Sequence, residues 1–245
     1  MEIVINPQFE AYRNIIESFT RQDVTFRKTF RQHRNLVGVC QMGPYEVVVK
    51  RYKRPTLANC VIYTWFRKNK AQRAYENALC LLDKGITTPT PVAYMVLKRL
   101  GFVHTCYFIS LYLPWPPLSE ADAATNGEAN DALWREYMGF ARQMHEKGLL
   151  LRDNNQDNTL VSTSDTIRFA LVDINRLQHS VHPRWPHIVT FFYQLGLPWE
   201  RLSALLPYYR PMSTLRLQRF AHDYRLMSRW RRWKHEVKHW LKRLK

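Results

Sequence analysis

The sequence predicts an α+β protein of two lobes: a β-rich N-terminal lobe over residues 1–113 holding one helix, and a short, mainly helical C-terminal lobe over residues 114–245. Three observations predict it. Apolar and β-branched runs separated by turn residues fill residues 36–113, interrupted by one helical pattern. A proline-then-acidic stretch, PWPPLSEADAATNGEAND at 114–131, breaks the chain. Beyond it the apolar spacing becomes helical and rich in aromatics.

Residues 36–52 (LVGVCQMGPYEVVVKRY) predict two strands about a Gly-Pro turn, with VVVK in the second. Residues 65–84 place Ala74, Ala78, Leu81 and Leu82 on one face and charges opposite, so they predict a helix. Gly85 closes it, and Pro89 and Pro91 prevent its return. PVAYMVLKRLGFVHTCYFISLYL then predicts two strands around a turn near Gly101. In the second lobe, Leu133, Tyr137, Phe140 and Met144 recur at helical spacing up to Gly148. Residues 159–173 predict a hairpin with a Thr-Ser-Asp turn, and the chain from about 187 predicts helices.

A hydrophobic content of 46% and an aromatic content of 13% exclude a disordered chain. No apolar run reaches the ~18 residues of a membrane span, and MEIVINPQFEAYRN has no secretory pattern, so a cytoplasmic protein is expected. The four cysteines, at 40, 60, 80 and 106, form no metal or disulfide pattern and predict small core residues. The net charge of +17 is concentrated in two blocks. Residues 47–75 carry +8 with no acid, and residues 201–245 carry +11. Such blocks suit an extended anionic partner: phospholipid headgroups, a phosphorylated glycan or nucleic acid. No nucleic-acid recognition motif accompanies the charge, so no specific nucleic acid is expected.

The chemistry is carried by MHEKGLLLRDNNQDNTLV. It follows a predicted helix, contains Arg152-Asp153, and places Asn158 five residues after the aspartate. Fifteen residues further on, beyond the predicted hairpin, stands Asp173 in LVDIN. Phosphoryl transfer needs this order. One aspartate, Asp153, orients the acceptor hydroxyl as base, while Asn158 and Asp173 supply hard oxygen ligands for magnesium against the phosphates of ATP. Upstream, Lys50 ends the VVV run, where a strand lysine reaches the α- and β-phosphates. Glu76 is the one acid between Glu46 and Asp83 and is placed to keep that ammonium charged. No GxGxxG is present, and Gly38 and Gly43 are the candidates for a phosphate-covering turn.

At the C-terminus, Leu226, Trp230, Trp233, Val237, Trp240 and Leu244 form one helical stripe among seven basic residues. A helix of this kind can lie in the headgroup plane of an anionic membrane, the alternative being that the stripe packs on the second lobe and the charges are solvated.

Four segments together resemble the lipopolysaccharide kinase (Kdo/WaaP) family, itself similar to protein kinases: VVVKRYKRP (47–55), AYENALCLLDKGITTPTPVAY (74–94), MHEKGLLLRDNNQDNTL (144–160) and LVDINRL (171–177). The similarity spans roughly residues 35–180. It implies a bilobal protein-kinase-like fold and a Mg-ATP-dependent kinase for a Kdo or heptose of the lipopolysaccharide inner core. Lys50 and Glu76 become the ATP-anchoring pair, Asp153 the base, and Asn158 and Asp173 the magnesium ligands. Ser110, Leu111, Tyr112 and Leu113 become the hinge to adenine. The implied partners are a lipopolysaccharide core or lipid A-linked sugar acceptor, and an anionic surface met by the basic C-terminal helix at the cytoplasmic face of the inner membrane. Two positions depart from the pattern: Leu151 stands where many kinases have histidine, and Asn175 where glycine is usual. The alternative is a pseudokinase-like module that binds a membrane or a partner, or a kinase for another small-molecule or protein acceptor.

Overall fold

The N-terminal strand β1 (Glu2–Ile5) sits at one edge of a six-stranded antiparallel sheet. The computed structural model describes residues 1–20, 25–31 and 35–243. Within them the chain forms two compact units, residues 1–115 with 170–176, and residues 116–169 with 177–245. The sequence expectation placed the division at 113/114 and gave the whole remainder to the second lobe. The segment 170–176 lies instead with the first unit. Its backbone is taken up there: Asn77 Nδ2 donates to Ile174 O at 2.6 Å, Thr88 Oγ1 donates to Leu171 O at 2.7 Å, and Leu171 N donates to Thr87 O at 3.0 Å.

After β1 come a short helix α1 (Arg13–Ser18) and strands β2 (Lys28–Arg31), β3 (Leu36–Met42) and β4 (Tyr45–Arg51). Two helices follow, α2 (Leu57–Trp65) and α3 (Lys70–Asp83), then the long hairpin β5 (Pro91–Arg99) and β6 (Phe102–Leu111). The sheet order is β1-β5-β6-β4-β3-β2. Asn69 caps α3 by accepting from Ala71 N and Gln72 N at 3.0 Å, and Gly85, at φ 64°, supplies the left-handed residue beyond its end. The buried stripe of α3 is small, with Ala71, Ala74 and Ala78 beside Tyr75 and Leu81, so the helix can lie close to the sheet. Tyr75, Tyr94 and Cys106 share one core there, while Ile5, Phe9, Met95 and Ile109 share a second. Strand β5 contributes to both, which explains its unbroken burial from Pro91 to Val96. Cys40, Cys60 and Cys106 are buried, as small core residues are, while Cys80 is only partly buried.

In the second unit, α4 (Leu118–Ala124) and the long α5 (Gly127–Glu146) precede the short strand β7 (Leu150–Leu151). The hairpin β8 (Thr159–Ser162) and β9 (Arg168–Leu171) follows, and the chain leaves the second unit within β9. It returns with β10 (Leu177–Gln178), which pairs with β7, and ends in α6 (Trp185–Tyr193), α7 (Trp199–Tyr209) and α8 (Thr214–Arg243). Asp122 ties α4, α5 and α7 together, accepting from Trp134 Nε1 at 2.7 Å and Arg201 Nη2 at 2.8 Å. Burial pushes its carboxyl up, but those donors outweigh burial and hold it below the usual range.

His145, 4% exposed, joins α5 to α7 through a 2.8 Å bond between its Nδ1 and Tyr209 Oη. Burial, then the charge of Arg210, lowers its imidazole to about 4 from an ordinary 6.5. The folded protein thus holds His145 neutral where the unfolded chain would protonate it. Its contribution to stability is complete above pH 6.5 and is lost as pH falls toward 4, by about 3 kcal/mol in all. Urea midpoints should therefore fall steeply across that window in the wild type and less steeply in His145→Phe. Parallel profiles would remove His145 as the cause.

Candidate active site

The predicted site residues fall in two groups, one in each unit. In the first unit Lys50 lies near the end of β4, opposite Val37 of β3 and Phe108 of β6, so the sheet fixes its backbone on both sides. Its Nζ lies 2.6 Å from Asp173 Oδ1, and the two side chains are only 14% and 28% exposed. The expected pairing of Lys50 with Glu76 does not form. Glu76, on α3, accepts from Lys68 Nζ at 2.8 and 2.9 Å and from Gln72 Nε2 at 3.2 Å, toward the solvent side of the helix.

Asp173 adopts φ 54°, a left-handed conformation that aspartate and asparagine reach more readily than other side chains but that tertiary structure must still hold. Asn175, one of the two departures, explains part of that hold: its Nδ2 donates to Asp173 Oδ1 at 2.6 Å. Beneath Lys50 lies Tyr52, with the ammonium 5.2 Å from its ring centroid. The phenol is buried and finds no hydrogen-bond partner among the described residues, and burial, then the charge of Asp173, pushes it well above its ordinary value.

Ser110 is buried at the end of β6, where it pairs with Val48 and Pro91. The amides of Leu111 and Tyr112 are bound to Thr90 O and Glu46 O, both at 2.9 Å, and Leu113 lies beyond the strand. The two glycines expected to form a phosphate-covering turn make room for aromatic rings instead. A Cβ on Gly38 would overlap the Phe26 ring, and one on Gly43 would meet Tyr12.

In the second unit β7 delivers the chain to Arg152-Asp153. Leu151, the other departure, is buried and acts as a packing residue. Two amide side chains that the sequence did not single out clamp this loop. Gln194 accepts from Asn154 N at 2.8 Å and donates to Arg152 O at 3.1 Å, so it grips the backbone on either side of Asp153. Asn154 is fully buried, accepts from Tyr137 Oη at 2.8 Å and donates to Phe191 O at 3.1 Å. Asn158 Nδ2 donates to Asp153 O at 2.8 Å, which commits the amide nitrogen and presents the amide oxygen as an acceptor.

The carboxylate of Asp173 in the first unit and the amide oxygen of Asn158 in the second are each hard donors, of the kind that suits magnesium better than a soft metal. A lysine held in a sheet beside the carboxylate suits phosphate oxygens.

The sequence profile of the lipopolysaccharide kinase (Kdo/WaaP) family matches residues 28–187. No curated protein matches the chain in sequence. Among solved structures, one described as "WaaP in complex with acyl carrier protein" is 16% identical and aligns over 97% of this chain and 99% of that one, with a TM-score of 0.60. A crystal structure of WbdD is 17% identical over 82% of this chain and 46% of that one, with a TM-score of 0.49. At such identity the WaaP match concerns the fold, which is the protein-kinase-like α+β class that the sequence predicts.

Proposed function

We propose that this chain, which belongs to the lipopolysaccharide kinase (Kdo/WaaP) family, transfers the γ-phosphoryl group of ATP to a hydroxyl of a Kdo or heptose in the lipopolysaccharide inner core. The observation that carries this reading is the 2.6 Å pair of Lys50 with the left-handed Asp173. It is the arrangement of a cation for phosphates beside a carboxylate for their counter-ion. Lys50 binds the α- and β-phosphates, and Asp173 and Asn158 hold magnesium. When bound, magnesium neutralises charge on the transferring phosphoryl group. Asp153 accepts the hydrogen of the acceptor hydroxyl and orients its oxygen for attack. The linker from Ser110 to Leu113 meets adenine through Leu113, because Leu111 and Tyr112 already give their amides to the protein. Glu76 is left without the anchoring role first expected of it and acts on the outer side of α3.

The enzyme would work at the cytoplasmic face of the inner membrane. Among the described residues no helix is long and apolar enough to cross a membrane. On α8, Leu226, Trp230 and Trp233 are exposed, in keeping with contact at an anionic headgroup layer, while the Trp240 side chain and Leu244 lie outside the described residues. A protein partner is a second reading for the same helix. WaaP is solved with acyl carrier protein, and α8 here carries a groove of about 380 Å³ lined by His222, Arg225 and Arg229 among others, which suits an acidic surface.

The test is direct. Purified protein with magnesium and γ-labelled ATP should add one phosphate to a lipid A-linked Kdo acceptor, seen as label in the glycolipid and a matching mass increase. Label no higher than in a protein-free control would end the proposal.

A further inference from the structure

The first unit carries an apolar surface that the phosphotransferase chemistry does not use. Helix α2 is mounted the wrong way round for a soluble protein. Its inward side holds Asn59, Cys60, Tyr63 and Thr64, while Leu57, Ala58, Val61, Ile62 and Trp65 all face solvent. Leu57 is 84% exposed, Trp65 65%, and Phe66, just past the helix, 80%. The inward side is pinned in place. Thr64 Oγ1 donates to Cys60 O at 2.7 Å and accepts from Val103 N at 3.1 Å, so the helix cannot simply roll its apolar side under. Helices in soluble domains bury the apolar stripe and expose the polar one. This one buries Cys60 and packs Tyr63 on the core, but leaves Leu57 and Trp65 largely outside and Val61 and Ile62 partly so.

An independent feature points outward beside it. The two-residue turn of the β5–β6 hairpin is Leu100-Gly101, with φ 51° and 80°. Tight hairpins of this kind favour asparagine and glycine, and a leucine there is both strained and, in this case, 90% exposed. An asparagine would relieve both penalties, yet the chain keeps an apolar side chain at the tip. Phe102, the next residue, packs edge-on against Trp65 with ring centroids 5.3 Å apart, so tip and helix form one surface.

The charge around that surface names the occupant. Arg51, Lys53 and Arg54 precede α2 and are exposed, Arg67 and Lys68 follow it and are exposed, and no acid occurs between Glu46 and Glu76. Lys68 is answered by Glu76; among the described residues Arg51, Lys53, Arg54 and Arg67 form no ion pair, so the two basic segments flanking α2 keep their charge. Projecting apolar side chains flanked by cations match a fluid bilayer, which accepts a protruding leucine or tryptophan without needing a shaped pocket and attracts the cations through anionic headgroups. We infer that α2, Phe66 and the Leu100 tip form a membrane-docking surface on the β-rich unit that inserts into the interface of an anionic bilayer. It uses no residue of α8 and does not depend on which hydroxyl is phosphorylated.

The test uses the full chain and sedimentation with vesicles of phosphatidylcholine alone or mixed with phosphatidylglycerol. Wild type should bind the mixed vesicles and lose binding as salt is raised. Trp65→Gln with Phe66→Gln should weaken binding about tenfold, and Leu100→Asn about threefold. Leu100→Asn suits the turn better, so it should keep or raise the unfolding midpoint, and weakened binding cannot then be blamed on misfolding. Brominated phosphatidylglycerol should quench less fluorescence in Trp65→Phe than in wild type. The proposal is overturned if wild type ignores mixed vesicles, if the variants bind as wild type does, or if the surface captures an acidic protein and no lipid. Activity of Leu100→Asn on a water-soluble delipidated acceptor should equal wild type, so a failure of docking and a failure of the kinase reading give different results.

Discussion

Asp173→Asn is expected to lower turnover by roughly a thousandfold and to abolish the rise in melting temperature that magnesium and ATP together give the wild type. The substitution isolates charge. Asparagine has the same shape as aspartate and is among the few residues that tolerate a left-handed backbone, so the φ of 54° is kept. What is lost is the anionic partner of Lys50, whose side chain is 14% exposed. An ammonium left there with only an amide acceptor should cost about 1–2 kcal/mol of stability without any ligand. Asp173→Ala should destabilise further, because it also strains the backbone and leaves Asn175 without its acceptor. Thermal melts with nucleotide alone, magnesium alone and both together check each part. A variant that still gains stability from both together and still turns over would show that position 173 is not a ligand for the cation.

The sequence made the first unit legible wherever burial followed a simple period. The strand pairs around Gly43-Pro44 and Leu100-Gly101 stand where alternating β-branched runs and turn residues place them. Helix α3 follows from its alanine stripe, although it begins at Lys70 and not at Trp65. That error and the missed α2 have one cause. A helix whose apolar side faces solvent breaks the rule by which periodicity is read, so its residues were merged with the neighbouring helix or left unassigned. Helix α5 starts at Gly127, well before Leu133, because its first turns are exposed and carry no apolar signal. At the site, the choice of Glu76 for Lys50 rests on its being the one acid between Glu46 and Asp83, set within a predicted helix. The true partner is 123 positions away, and no local spacing encodes a contact made when residues 170–176 return to the first unit. Asn154 and Gln194 were invisible for the same reason, since each acts on backbone brought near by folding alone.

Replacing Asp153 should give the opposite signature to replacing Asp173. Its side chain is only part-buried, and among the described residues no donor takes its carboxylate. The loop around it is held by other atoms: the carbonyl of Arg152 and the amide of Asn154 by Gln194, the side chain of Asn154 by Tyr137 and Phe191, and the carbonyl of Asp153 itself by Asn158. None of these bonds uses the Asp153 carboxylate, so Asp153→Ala should leave the loop in place and change stability by less than about 0.5 kcal/mol. Nucleotide with magnesium should still raise its melting temperature as in the wild type. Turnover should nevertheless fall by roughly a thousandfold, because the acceptor hydroxyl loses the group that orients it and takes its hydrogen. Since that interaction develops in the transition state, the loss should appear in kcat with little change in KM for ATP. Asp153→Asn restores the shape and the hydrogen-bond acceptor but not the base, so an activity between the alanine variant and the wild type separates orientation of the hydroxyl from removal of its proton. A catalytic loop held by its backbone is what allows one carboxylate to be removed for chemistry alone, and a large stability loss in Asp153→Ala would mean the carboxylate is part of the scaffold and not of the reaction.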